Sequence, residues 1–110
     1  MKVYNDKNYA TVNEVASTLG VGDKTVRNRI KTGAMPPPSE YDDAANRSYF
    51  SSEYIVEQVS DKVRHQAEAH RQSFLDKVVG RVKGSLSLDG DFKTAILTGL
   101  QSCFPEASIL

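Results

Sequence analysis

The sequence predicts a mainly α-helical protein in two parts. Residues 1–58 read as an N-terminal domain in which two short helices precede a loop and a strand, and residues 59–110 as a helical segment. Three observations carry this. Thr11 and Glu14 stand at the spacing of a helix cap, ahead of apolar residues repeating every three or four. Gly20 and Gly33 punctuate that pattern where helices end. Beyond Phe50, Ile55, Val59 and Val63, and later Phe92, Ile96, Leu100 and Phe104, recur four apart.

The first helix is expected from about residue 12, because the Thr11 hydroxyl can accept an orphan backbone N–H while the Glu14 carboxylate reaches back to the cap. Val12, Val15, Ala16 and Leu19 then share a face, and Ala16 is small where a second helix must cross closely. Gly20 supplies the left-handed residue that stops the helix. Val21 follows as a turn residue able to point inward. Asp23 is placed to cap the second helix, Lys24 to about Lys31, in which Val26 and Ile30 stack four apart; Gly33 ends it.

The stretch AMPPPSEYDDAAN reads as a stiff loop closing on the strand Arg47–Phe50. Three prolines in succession favour an extended conformation without internal hydrogen bonds. The next helix is capped by Ser51 or Ser52. After Val63 the run RHQAEAHRQS is polar on all sides until Phe74, Leu75, Val78, Val79 and Val82. One long helix from residue 52 to about 82 is expected, or two with a joint at 67–72. Residues 84–90 break the pattern, and Asp91 is placed to cap a last helix. Its apolar stripe calls for a partner. An antiparallel hairpin of Phe74–Val82 with the last helix, doubled by symmetry into a four-helix cluster, would bury both stripes. Phe74, Val78, Val82, Phe92, Ile96, Leu100 and Phe104 are thus the expected oligomerisation residues, in a homodimer or higher homo-oligomer. Leu110 carries no terminus signal, as expected of a piece of a longer protein.

Composition narrows the classes. With 110 residues, 39% hydrophobic and 25% charged, the chain has material for one modest core. No run of about 18 apolar residues is present, and MKVYNDKNYA lacks the apolar centre of a secretion signal, so a cytoplasmic, nucleoid-associated protein is expected and no membrane partner. Cys103 is the sole cysteine, which rules out an internal disulfide or multi-cysteine zinc site within this sequence. The formal net charge is zero. Residues 1–50 hold seven Lys or Arg against six Asp or Glu, and residues 51–110 hold seven against eight. What is basic is one segment, Lys24 to Lys31, with four cations in eight residues.

That segment points to nucleic acid. With Val26 and Ile30 toward the core, Lys24, Thr25, Asn28 and Arg29 fall on outer or flanking sides and Arg27 and Lys31 near a border. Arg can bond guanine in bidentate fashion, Asn adenine, and Lys or Thr a phosphate. Lys24, Thr25, Asn28 and Arg29 are therefore the candidates for bases or adjacent phosphates, and Arg27 and Lys31 for backbone. A local positive face on a neutral body implies weak binding alone and reliance on dimerisation or neighbours.

Val15-Ala16-x-x-Leu19-Gly20-Val21, then Thr25-Val26-x-x-x-Ile30, Gly33, a following proline and Arg47-x-Tyr49 ahead of Ser51 resemble the winged helix-turn-helix of MerR-type regulators and excisionase-like proteins. The resemblance covers residues 9–58. It implies sequence-specific binding of double-stranded DNA, with the second helix in the major groove and the loop between Gly33 and Tyr49 as a wing. The wing here carries Glu40, Asp42 and Asp43, and Arg47 is its one cation, so Arg47 alone is expected to reach DNA. The length leaves no room for the effector domain of a full MerR-type regulator.

Other features weigh little. His65 and His70, five apart, diverge by over a hundred degrees on a helix and suit no shared metal. Asp42-Asp43 sits in a loop where a turn is the simpler reading. The proline run is loop rigidity rather than a ligand for a proline-recognising domain. No nucleophile–base pair, glycine-rich phosphate loop or metal spacing is present, so neither an enzyme nor a cofactor is expected. The expected function is a small homodimeric transcriptional repressor of phage, plasmid or mobile-element type. Alternatives are an excisionase-like or plasmid-partition architectural factor and, in another class, a protein-interaction adaptor using the same fold.

Overall fold

The computed structural model describes residues 9–109; the N-terminal stretch 1–8, read above as lacking a secretion signal, and residue 110 lie outside it. In chain order the described residues form α1 (Val12–Leu19), α2 (Asp23–Thr32), β1 (Glu40–Asp42), β2 (Arg47–Tyr49), α3 (Ser52–Arg64), α4 (Glu68–Gly84) and α5 (Gly90–Cys103). The architecture is mainly helical, with one small antiparallel sheet of two strands.

Local chemistry sets most of the boundaries. The Thr11–Glu14 capping box forms, with Thr11 N–H donating to Glu14 Oε1 at 2.9 Å and Glu14 N–H to Thr11 Oγ1 at 3.4 Å. Gly20 and Gly33 close α1 and α2 at φ of 74° and 86°, conformations in which a Cβ would crowd the following carbonyl. Ser51 caps α3 by accepting from the Tyr54 N–H. Two expected caps lie elsewhere. Gly22, not Asp23, is the N-cap of α2, with Asp23 its first residue. Asp89, not Asp91, caps α5, accepting from the Asp91 N–H at 3.0 Å.

The stretch from residue 52 to about 82 is two helices, α3 and α4, and their joint at residues 65–67 meets the near end of the expected 67–72. The break lets α4 fold back instead of projecting. It packs against α1 and α3, while α5 lies mainly along α3 and only lightly against α4. The principal partner of α5 is therefore α3, not the Phe74–Val82 segment.

One continuous apolar cluster runs from Ala10 to Ile109 through every helix. Phe50, Ile55, Val59, Val63, Val78, Val82, Ile96 and Leu100 are all fully enclosed in it. The Cα radius of gyration is 13.8 Å, close to the about 13 Å that one compact unit of this length would have. The division expected at residue 58 falls inside α3, whose two ends share the same core. Phe92 is buried as well, and Phe74 and Phe104 are half-buried against the cluster. The stripes expected to seek a second chain are thus covered within one.

Residues 104–109 are strapped back by two amides. Ser108 N–H donates to Gln72 Oε1 at 2.9 Å and Gln72 Nε2 donates to the Ser108 carbonyl at 3.1 Å. Gln101 Nε2 donates to the Ala107 carbonyl at 2.8 Å, and its Oε1 accepts from Ile109 N–H at 3.2 Å. Ile109 is buried at the end of this strap.

Candidate nucleic-acid interface

The candidate face is built on α2. Only Val26 of this helix is fully buried, with Ile30 half-buried beside it. At 100° per residue Arg27, Lys31, Lys24 and Asn28 then follow one another around the opposite side, and all four are exposed. Thr25 and Arg29 are half-buried on one flank. This reorders the expected roles. Lys31 and Lys24 lie at the centre of the outer face, Arg27 stays at its hairpin border as expected with Asn28 at the other end of the row, and Thr25 and Arg29 form the opposite border. Among the described residues, none of Lys24, Arg27, Arg29, Lys31 and Arg47 is held in a salt bridge.

The N-terminal end of α2 is fixed to α1. Val21 N–H donates to the Ala16 carbonyl at 3.0 Å across the turn. With its amide oriented nitrogen toward α2, Asn13 donates to the Asp23 carboxylate. That bond engages the acid nearest Lys24 and Arg27.

The opposite flank of α2 faces the hairpin. β1 and β2 pair antiparallel with Glu40 opposite Tyr49 and Asp42 opposite Arg47. The Asp42 carboxylate accepts from the backbone N–H groups of Ala44 and Ala45 at 3.1 and 3.3 Å, so the acidic pair makes a turn as expected. Asn46 sits at φ 50°, the left-handed region its short side chain tolerates, and its amide oxygen accepts from the Tyr41 hydroxyl. A cleft of about 420 Å³ separates hairpin from helices, and Asn13, Asp23, Arg27, Asn46, Arg47 and Ser48 are among its walls. It brings Arg27 and Arg47 to one groove, although they lie on different elements.

The hairpin base is anchored to the core. Phe50 exchanges backbone hydrogen bonds with Ala10 at 2.7 and 2.9 Å, a pairing the sequence did not disclose. Ser51 N–H donates to Ser39 Oγ at 3.0 Å. The proline run is held by the Tyr54 hydroxyl, which donates to the Pro36 carbonyl at 2.6 Å. Burial, and secondarily the Glu57 carboxylate, push the Tyr54 phenol up to about 12. The proline run is therefore tied to α3 at Pro36, and Pro38 lines a second depression with Arg27, Ile30 and Tyr41.

On the other flank the structure assembles residues that the sequence pattern did not single out. Burial lowers the Lys62 ammonium below its ordinary value, and the positive charges of Arg29 and Arg81 lower it further. Arg81 reaches from α4 to the α1–α2 turn, where a Cβ built on Gly20 would lie 2.6 Å from its guanidinium Nη1. Spacing gave no signal for this grouping, because three separate helices contribute to it.

Among the described residues no three His, Cys, Asp or Glu side chains gather where they could hold a metal ion, and no helix is long and apolar enough to cross a membrane. His65 bonds the Asp61 carbonyl through Nδ1 at 2.7 Å and is exposed, as is Cys103. No protein-family model, curated protein or solved structure matches this chain.

Proposed function

We propose that this chain is a double-stranded DNA-binding protein that uses a winged helix-turn-helix, with α2 in the major groove and the β1–β2 hairpin as the wing. The supporting observation is the exposed row Lys24, Arg27, Asn28 and Lys31, whose cations have no salt-bridge partner among the described residues, beside a cleft shared with Arg47. A helix with its side chains is about 10–12 Å across and the major groove about 12 Å wide, so this face fits the groove without distortion. Arg27, Asn28 and Lys31 would meet base edges or the nearest phosphates, and Arg47 the backbone beside the wing. Regulation by occupancy follows most simply, since a bound chain excludes other proteins from the site.

The test is selection of bound fragments from random duplex DNA, run in parallel with an Arg27→Ala, Lys31→Ala variant. Enrichment of a motif that the variant loses supports the reading, and the presence or absence of a repeat within it reports whether one or two chains bind. No enrichment, at low salt as well, overturns it.

A further inference from the structure

An open groove of about 680 Å³ runs between α3 and α5. The two helices lie side by side in the same direction. A Cβ on Gly99 would stand 2.7 Å from Val56 Cγ2, and Cys103, one turn further along α5, borders a second cleft with Glu68 and Arg71, which begin α4 just beyond the end of α3. The groove therefore has one end at Glu53 and Asp91 and the other at Arg64 and Cys103. On α3, Val56 points about 160° away from Tyr54, whose hydroxyl holds the proline run, so the groove opens on the side of α3 turned from that loop.

The floor admits a close neighbour. Val56 and Gly99 are half-buried and Ala95 is exposed. Ser60 stands in the middle of the arc of α3 residues that line the groove. It is 2% exposed, and its buried hydroxyl has no hydrogen-bond partner among the described residues, not even the carbonyl one turn back. Such an orphan costs free energy that a polar group seated over it would recover.

The rim says what that neighbour is. Glu53 and Asp91 stand at one end with Glu57 a turn further on, Arg64 stands at the other, and all four are exposed. None of them is in a salt bridge among the described residues. The helix dipole accounts for Glu53 and Asp91 in their first turns, but not for Glu57 in mid-helix. Three carboxylates against one guanidinium leave the groove net negative, which disfavours a phosphate backbone, and a second copy seated face to face would double that charge.

We propose that the α3–α5 groove docks an amphipathic helix of another protein, antiparallel to α3 and α5. The occupant carries an acid in its first turn against Arg64, small apolar residues over Val56, Ala95 and Gly99, and Lys or Arg in its last turns against Glu57, Glu53 and Asp91. Antiparallel seating opposes the macrodipoles and places those cations at the C-terminal end, where a helix favours them. From Glu53 to Arg64 the rise along α3 is about 16 Å, so the docked stretch is about 11 residues, or three turns. The inference does not depend on the DNA-binding reading, because no residue of α2 lines the groove.

The probe is a panel of fluorescein-labelled synthetic peptides of about 18 residues, long enough to be helical alone. Each has Glu in its first turn, Lys in its last two turns and a facing stripe varied among Ala, Ser, Val and Leu. Anisotropy titrations compare wild type, Ala95→Tyr, which fills the groove without altering charge, and a Glu53→Gln, Glu57→Gln, Asp91→Asn variant. At least one peptide should bind wild type. Ala95→Tyr should abolish that binding, and the neutralised variant should weaken it about tenfold at low salt, the combined effect of three rim-exposed ion pairs. A bromoacetyl group at the peptide's N-terminus should alkylate Cys103, the thiolate displacing bromide, and the same group at its C-terminus should not. No binding by any peptide at millimolar concentration, or binding that Ala95→Tyr leaves unchanged, overturns the inference; alkylation from the C-terminus alone overturns the antiparallel seating. A wild-type dimer in light scattering that Ala95→Tyr makes monomeric would give the groove to a second copy and overturn it as well. The substituted positions are exposed, so thermal midpoints should stay near that of wild type. Should Ala95→Tyr unfold, Thr98→Tyr on the same wall carries the steric test. Affinity for duplex DNA should be equal in wild type and Ala95→Tyr, so the DNA reading stands or falls separately.

Discussion

Leu100→Ala separates two accounts of the α5 stripe. If Leu100 is covered by the chain's own helices, where it has no accessible surface, its truncation costs about 2–5 kcal/mol, the lost burial plus the cavity left behind. At about 2.1 cal/mol/K of unfolding entropy per residue, the 110 residues give about 0.23 kcal/mol/K, hence a midpoint lowered by about 9–22 °C. The drop should be the same at two protein concentrations about a hundredfold apart, since nothing dissociates. If the stripe were instead an interface whose loss unfolds the chain, dilution over that range would itself lower the wild-type midpoint. Mass action supplies about 2.7 kcal/mol per dimer, which over the doubled entropy is about 6 °C. Far-UV circular dichroism melts of both proteins at both concentrations decide. A wild-type midpoint that falls by about 6 °C over that dilution would refute the internal-packing account.

Gly99→Ala should destabilise by about 1–3 kcal/mol, because its Cβ would stand 2.7 Å from Val56 Cγ2 where α5 crosses α3. Val56 is β-branched and cannot swing aside freely. Val56→Ala in the same chain should recover most of the loss in urea titrations, and no recovery would place the strain elsewhere. For Tyr54, the folded phenol is raised from 10.0 to about 12, so the neutral form favours the fold. That contribution is complete below pH 10 and lost as pH rises toward 12. The urea midpoint of wild type should therefore fall more steeply across that window than that of Tyr54→Phe, and parallel curves would sink the assignment. At neutral pH Tyr54→Phe should cost about 1 kcal/mol for the bond to Pro36. Lys31→Ala should cost about 0.3–1 kcal/mol of stability, as a cation lost from the last turn of α2, whereas Arg27→Ala in mid-helix should cost little. Equal losses in denaturant titrations would show that Arg27 packs against the hairpin instead of standing free.

What the sequence disclosed is what neighbouring residues decide among themselves. Thr11 with Glu14, the glycines at 20 and 33, and Ser51 each act within one helical turn, and each appears where local chemistry puts it. The two misplaced caps are local ambiguities of the same kind. Asp89 and Asp91 are both fit to cap α5, and Gly90 between them tolerates the first turn. The partner of α5 was not legible, because a four-residue apolar repeat says that a face must be covered and not by what. The Ala10–Phe50 pairing is backbone to backbone and leaves no side-chain signature. On α2, two inward residues defined the buried direction but not its width, and Arg29 and Thr25 are half-buried beside it.

The zero net charge is the strongest objection to a DNA partner, and the structure shows how the charge is used. Glu14 is committed to the cap of α1, Asp23 to Asn13, Asp42 to the hairpin turn, Asp76 to Gln72 and Asp89 to the cap of α5. These carboxylates accept from neutral donors that hold local structure, and none of them pairs with a cation of α2. The cations of α2 consequently keep their hydration and their freedom to exchange it for phosphate. At physiological salt a charge is screened beyond about 8 Å, so on the proposed reading a phosphate against α2 would sense chiefly the charges of that helix and its immediate flanks. On the proposed DNA-binding reading, formal neutrality of the whole chain would lower the long-range attraction to DNA and slow encounter, while leaving the contact energy to the residues at the face.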